Sequence, residues 1–145
     1  MELGLQGKVA IVTGASKGIG FCTALQLVKE GALVTICARG EKSLQVAAAS
    51  IKKETGIDVL TIAANMAKEE DCKEVIEKTV ERYGRLDILI NNAGTASANS
   101  FEQVSSELWQ TDLDLKLFGA VNCSKYAVPH LKKAGSGSIV NVTAV

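Results

Sequence analysis

Proline is nearly absent from this chain: Pro129 is the only one, and His130 beside it is the only histidine. No Pro/Gly linker, low-complexity tract or repeat divides the sequence, so residues 1–145 read as one domain. An excess of charge is missing too. The 16 basic and 16 acidic residues cancel, which removes any global field toward nucleic acid or an anionic membrane. Cys22, Cys37, Cys72 and Cys123 include no C-x-x-C pair, and with a single His there is no zinc spacing; all four are expected to be buried free thiols. No apolar run approaches the roughly 20 residues a membrane span needs. The start, Met-Glu-Leu-Gly-Leu-Gln-Gly-Lys, has neither the charged nor the apolar region of a secretory signal. A cytoplasmic location is therefore expected, and the glycosylation-like triplets at Asn122 and Asn141 are set aside.

Hydrophobic residues make up 47% and charged residues 22% of the chain, the balance of a folded domain with one core. Short apolar runs alternate with amphipathic stretches of helical length, the pattern of βαβ units and a parallel sheet. The strands read as Lys8 to Thr13, Leu33 to Ala38, Val59 to Ala63, Leu86 to Ile90 and Ser138 to Val142. Each is a nearly continuous apolar run, as expected of strands buried on both faces. Helices are expected from near Gly18, Glu41 and Lys68, with a long one from about Glu107 to Lys133 that Pro129 should kink or end. In the third, Val75, Ile76, Thr79, Val80 and Tyr83 recur at three- and four-residue steps and form the face toward the sheet. Lys73, Glu74, Glu77 and Lys78 take the solvated face.

The first strand runs straight into Thr13-Gly14-Ala15-Ser16-Lys17-Gly18-Ile19-Gly20, and a helical pattern follows at once. A glycine-rich turn between strand and helix suits an anion. Glycine admits the tight turn and lets backbone approach a pyrophosphate, while the helix start offers free N–H groups and a partial positive charge. A P-loop is excluded, because Ile19 stands where its second glycine belongs and Lys17 falls inside the turn.

The octet matches the T-G-x-x-x-G-x-G of classical short-chain dehydrogenase/reductases. A second motif of that family, Asn91-Asn92-Ala93-Gly94, follows the Leu86 to Ile90 strand. The chain resembles this family from Leu5 to Val145, in its amino-terminal, cofactor-binding part. The resemblance implies an α/β Rossmann-type doubly wound parallel sheet of five strands with flanking helices, and an oxidoreductase that acts on a small carbonyl or alcohol with a nicotinamide cofactor. It assigns cofactor contact to Gly14, Ser16, Lys17, Gly18, Ile19 and Gly20 of the turn, to Asn65 and Met66 after the third strand, and to Asn91, Asn92, Ala93 and Gly94. The last four are given partly to the ribose and partly to holding the sheet, and direct contact and a purely structural role stay open. At Asn65 the family has an Asp that contacts the adenine, and Asn keeps an acceptor oxygen for that contact.

NAD sites commonly place a carboxylate at the end of the second strand for the ribose 2′-hydroxyl, whereas NADP sites place Arg there. This chain has Ala38 and Arg39. Arg39 can pair with a 2′-phosphate, Lys17 is a second cation within reach, and NADP(H) is expected over NAD(H). Glu41 is the rival ribose ligand, though it lies past the strand end.

The resemblance also implies a catalytic Tyr-x-x-x-Lys, a Ser that polarises the carbonyl and an Asn in the long helix. The 145 residues contain no such Tyr-Lys pair: Tyr83 precedes Asp87 by four, and Tyr126 precedes His130 by four. The family's Ser position falls on Ala144 and its Asn position on Lys116. The signature would lie beyond Val145, so the chain alone is expected to bind cofactor without catalysis, and no catalytic residue is assigned. A noncatalytic nucleotide-binding module is the alternative. His130 reads as a capping or surface group, and Lys116 as a solvated helix lysine. The resemblance implies a homo-oligomer whose interface includes Leu113, Leu117 and Val121. An apolar edge at the last strand is expected to favour self-association of the isolated chain.

Overall fold

A computed structural model describes residues 1–95 and 99–143 of the chain. Five strands form one parallel sheet: β1 (Val9–Thr13), β2 (Leu33–Ala38), β3 (Leu60–Ala63), β4 (Ile88–Asn91) and β5 (Ser138–Asn141), in the order β3-β2-β1-β4-β5. The expected doubly wound sheet is present. From β1 the chain steps outward through β2 and β3, then returns to the other side of β1 for β4 and β5. Helices α1 (Gly18–Lys29), α2 (Glu41–Thr55), α3 (Glu69–Tyr83), α4 (Ser106–Leu113) and α5 (Gly119–Ala134) fill the crossovers. Among the described residues no helix is long and apolar enough to cross a membrane.

Successive strand residues face opposite sides, and both sides are covered. Val9, Ile11 and Leu89 belong to one core, beneath α3 and α5, with Val75, Ile76, Cys123 and Leu131. Ala10, Val12, Val34, Ile36 and Ile90 belong to the other, beneath α1 and α2, with Ala24, Leu44 and Ile51. The unbroken apolar runs follow from this double coverage. β5 departs from that expectation. All four of its residues are exposed, and it pairs only with β4, at the edge of the sheet.

On α3, Val75, Ile76 and Thr79 are fully buried and Val80 and Tyr83 partly so, while Lys73 pairs with Glu77 and Lys78 with Glu74 on the outer face. The predicted stripe is therefore the packed face. β4 begins two residues later than expected. Asp87, just ahead of it, is buried; its side chain accepts the Val9 N–H at 2.9 Å, while its own N–H donates to Val9 O and its carbonyl accepts the Ser138 N–H, both at 2.9 Å.

The long helix is present as helical backbone from Ser106 to Ala134, and its irregularity is not at Pro129. A π-helical segment, Asp114–Phe118, separates α4 from α5, and α5 runs through Pro129 to Ala134. Proline deletes one helical hydrogen bond there, but Cys123, Ala127 and Leu131 anchor α5 to the core on either side. The π segment instead adjoins Gly119, where α5 comes so close to the main chain of Met66 that a β-carbon would lie 2.8 Å from its carbonyl oxygen. Of the four thiols, Cys37, Cys72 and Cys123 are buried as expected; Cys22 is exposed on α1.

Candidate functional site

The reversal of direction between β1 and β4 opens a crevice at the carboxyl ends of these two strands, and both sequence motifs converge on it. Gly14 turns the chain out of β1 at φ +62, and a β-carbon on it would lie 2.8 Å from Ala93 Cα. At Gly20 a β-carbon would lie 2.5 Å from the side-chain amide of Asn92 and from Gly14 O. Neither position has room for a side chain. Gly18, also at positive φ, faces open space, with nothing within 4 Å of its would-be β-carbon. The start of α1 has no side-chain cap and no acidic residue in its first turn, so its N–H groups and dipole are open to an anion.

Thr13 joins the turn to the segment after β4. Its hydroxyl oxygen accepts the N–H groups of Asn92 at 2.9 Å and Ala93 at 3.0 Å. The Asn92 amide donates in return to Thr13 O at 3.2 Å and Gly14 O at 3.1 Å. Asn91 donates to Asn141 Oδ1 at 2.9 Å and Ser124 Oγ at 3.3 Å, which ties β4 to β5 and α5. Both asparagine side chains are thus engaged within the protein, and the structural role left open by the sequence is filled.

Two clefts meet at this junction and share Met66, Ala93, Gly94, Thr95 and Leu115. One, of about 640 Å³, runs from Gly14, Ser16 and Lys17 to Ala38, Arg39, Gly40 and Ser43. Lys17 and Arg39 are its only charged lining residues among those described, and Glu41 is outside its lining. The other, of about 780 Å³, is lined by Ile19, Asn91, Asn92, Lys116, Asn141 and Thr143, with Thr13 and Cys123 deeper. The neighbouring Cys72 and burial push the Cys123 thiol up.

Most of the residues predicted for the site come together here. Two have additional work. Asn65 lines neither cleft, and its Oδ1 accepts the Ala67 N–H at 3.0 Å in the turn before α3. Met66 is almost wholly buried, its sulfur 3.5 Å from Cys123 Sγ, and shows only part of itself to the clefts. Thr13 and Ser43 were missed as site residues. Thr13 reads in the sequence as the last strand residue, and Ser43, whose hydroxyl donates to Gly40 O at 2.9 Å, reads as helix surface. Lys116 is at the cleft, with its ammonium 2.8 Å from Asp112. Tyr83, Tyr126 and His130 do not line either cleft; Tyr126 donates to Glu69 at 2.7 Å on the outer side of α3 and α5. Ala144 lies outside the described residues.

A glycine turn and an open helix start at the switch point of a doubly wound sheet define the class of dinucleotide-binding α/β domains. The chain belongs to the short chain dehydrogenase family, whose model matches residues 8–145. It is 37% identical over 138 residues to the 3-oxoacyl-[acyl-carrier-protein] reductase FabG of Staphylococcus epidermidis, covering 95% of this chain and 57% of that protein. L-Sorbose reductase from Gluconobacter frateurii, solved with NADPH and L-sorbose, superposes with a TM-score of 0.93 at 38% identity, over 97% of this chain and 54% of that one. NAD+-bound xylitol dehydrogenase gives a TM-score of 0.88 at 30% identity, over 94% and 53%. The chain thus spans about half the length of the relatives it matches.

Proposed function

We propose that these residues form the cofactor-binding part of an NADP(H)-dependent oxidoreductase that moves a hydride between the nicotinamide and a small carbonyl or alcohol. The observation that carries the cofactor choice is the pairing of Lys17 and Arg39 in one cleft at the end of β2, with no carboxylate among the described residues lining it. That cleft suits the adenosine end and a 2′-phosphate; the open start of α1 suits the pyrophosphate; the larger cleft suits the nicotinamide end. The sorbose reductase was solved with NADPH and the xylitol dehydrogenase with NAD+, so family membership leaves the choice to these local charges.

Cofactor binding is the activity we assign to the 145 residues themselves, since they contain no Tyr-x-x-x-Lys and neither tyrosine faces a cleft. A homo-oligomer completes the proposal, because Leu113, Leu117 and Val121 remain exposed on the α4–α5 side.

Calorimetric titration of the chain with NADPH and NADH tests the reading. A charged hydrogen bond to the phosphate contributes about 1.5 to 3 kcal/mol, so NADPH is expected to bind roughly ten- to a hundred-fold more tightly. Arg39→Ala brings the two toward parity by weakening NADPH alone. Equal affinities in the wild-type chain, or a preference for NADH, would overturn the assignment.

A further inference from the structure

Among the described residues lining the larger cleft, Lys116 is the only ionic side chain; the polar remainder consists of hydroxyls and amides such as those of Thr13, Asn91, Asn92 and Asn141. Lys116 sits in the middle of the π-helical segment, and such irregular turns recur where a helix must present a side chain to a functional site. Its stem runs beside the backbone of Gly94: a β-carbon on Gly94 would be in ordinary contact with Lys116 Cγ at 3.8 Å and Cε at 3.9 Å. Its ammonium is held 2.8 Å from Asp112 Oδ1, one helical turn earlier. Asp112 itself does not line the cleft. Lys116 is therefore the one cation among the described lining residues, with its countercharge outside that lining.

Resting on the cofactor assignment above, we propose that Lys116 makes this site select the reduced dinucleotide over the oxidised one. The physical basis is the difference between the two ligands. The oxidised nicotinamide ring is a cation and the dihydronicotinamide is neutral, whereas the phosphates and adenosine are the same in both. A cation across the cleft repels only the oxidised ring. Asp112 moderates the repulsion, since its countercharge lies 2.8 Å from the ammonium. The polar amides of the opposite wall give no comparable discrimination, because they have no net charge.

The test is a set of four calorimetric titrations of the 145-residue chain, each with NADPH and with NADP+: wild type, Lys116→Met, Lys116→Arg and Asp112→Asn. The quantity read is the ratio of the two dissociation constants, which is insensitive to any loss of folded fraction common to both. A unit charge several ångströms away through partly hydrated protein changes affinity by about three- to ten-fold. Lys116→Met is expected to lower the ratio Kd(NADP+)/Kd(NADPH) by that factor. Asp112→Asn is expected to raise it, and Lys116→Arg to keep it within about two-fold of wild type. A ratio unchanged in both Lys116→Met and Asp112→Asn, with both ligands still binding, overturns this inference and leaves the cofactor site standing. Absence of binding by either ligand to the wild-type chain overturns the cofactor assignment, and the inference with it.

Discussion

Replacing Thr13 by Val leaves the shape and β-propensity of the side chain almost unchanged and deletes one hydroxyl. That hydroxyl accepts two main-chain N–H groups, from Asn92 and Ala93, across 79 and 80 residues of sequence. Its own donor bond, to Ile90 O, is long at 3.4 Å and adds little. Thr13 is buried and the two donors are half-buried, so water reaches them only in part. An orphaned buried donor costs about 1 to 3 kcal/mol; taking the lower half of that range for half-buried groups, the two together amount to about 2 to 4 kcal/mol. With a urea slope of about 2 kcal/mol per molar, the midpoint of unfolding followed by far-ultraviolet circular dichroism falls by about 1 to 2 M. Thr13→Ser, which retains the acceptor, should fall by well under half as much. Because Ala93 lines both clefts, Thr13→Val should also weaken NADPH binding more than Thr13→Ser does. A Thr13→Val midpoint within about 0.3 M of wild type would refute the view that this hydroxyl holds the two motifs together.

Asp87 offers a pH-dependent test. Burial opposes its charged form, but the Arg85 guanidinium at 2.6 Å, the Val9 N–H and Lys8 outweigh it and hold the carboxyl below the usual carboxylate range. A depressed folded pKa means that the stabilisation is present above the unfolded value near 4 and is lost as pH falls through the folded value. Asp87→Asn should cost about 1 to 3 kcal/mol at pH 7, and its deficit in urea midpoint should shrink as the pH is lowered from 5 toward 2.5; a deficit that does not change with pH counts against the ion pair. Thiol chemistry checks the packing beneath the clefts. Cys22 is exposed while Cys37, Cys72 and Cys123 are buried, and burial pushes the Cys37 thiol up to about 12. An aromatic disulfide reagent at pH 8 should therefore label Cys22 promptly and the other three only on unfolding, and rapid labelling of a second thiol would contradict the buried arrangement.

The strands β1 and β2, the stripe on α3 and the turn from Thr13 to Gly20 were legible in the sequence because each depends on neighbours within a few residues: a period of two or of 3.6, or glycines at a strand-to-helix junction. The same local chemistry, with the family resemblance, placed Arg39 and Lys17 at the site before any coordinates. What tertiary structure alone decided arises where segments distant in sequence meet. For Asn92 the sequence leaves ligand contact and a structural role open; its amide donates to Thr13 and Gly14, 79 and 78 residues away. That partnership exists only because β4 returns to lie beside β1. Met66 reads as a cofactor neighbour and is largely core, since α5 closes on its backbone at Gly119. β5 reads as a strand buried on both faces, yet all four of its residues are exposed, because coverage by helices is not written in any one strand's pattern. The π segment that presents Lys116 to the cleft has no proline or glycine to announce it within Asp114–Phe118. Short-range periodicity and turn chemistry thus determined which elements form and which motif offers open N–H groups at a helix start. The order in which the strands pack decided which side chains are left free to do so, because hydrogen bonds and close contacts across the sheet depend on pairing that no local window contains.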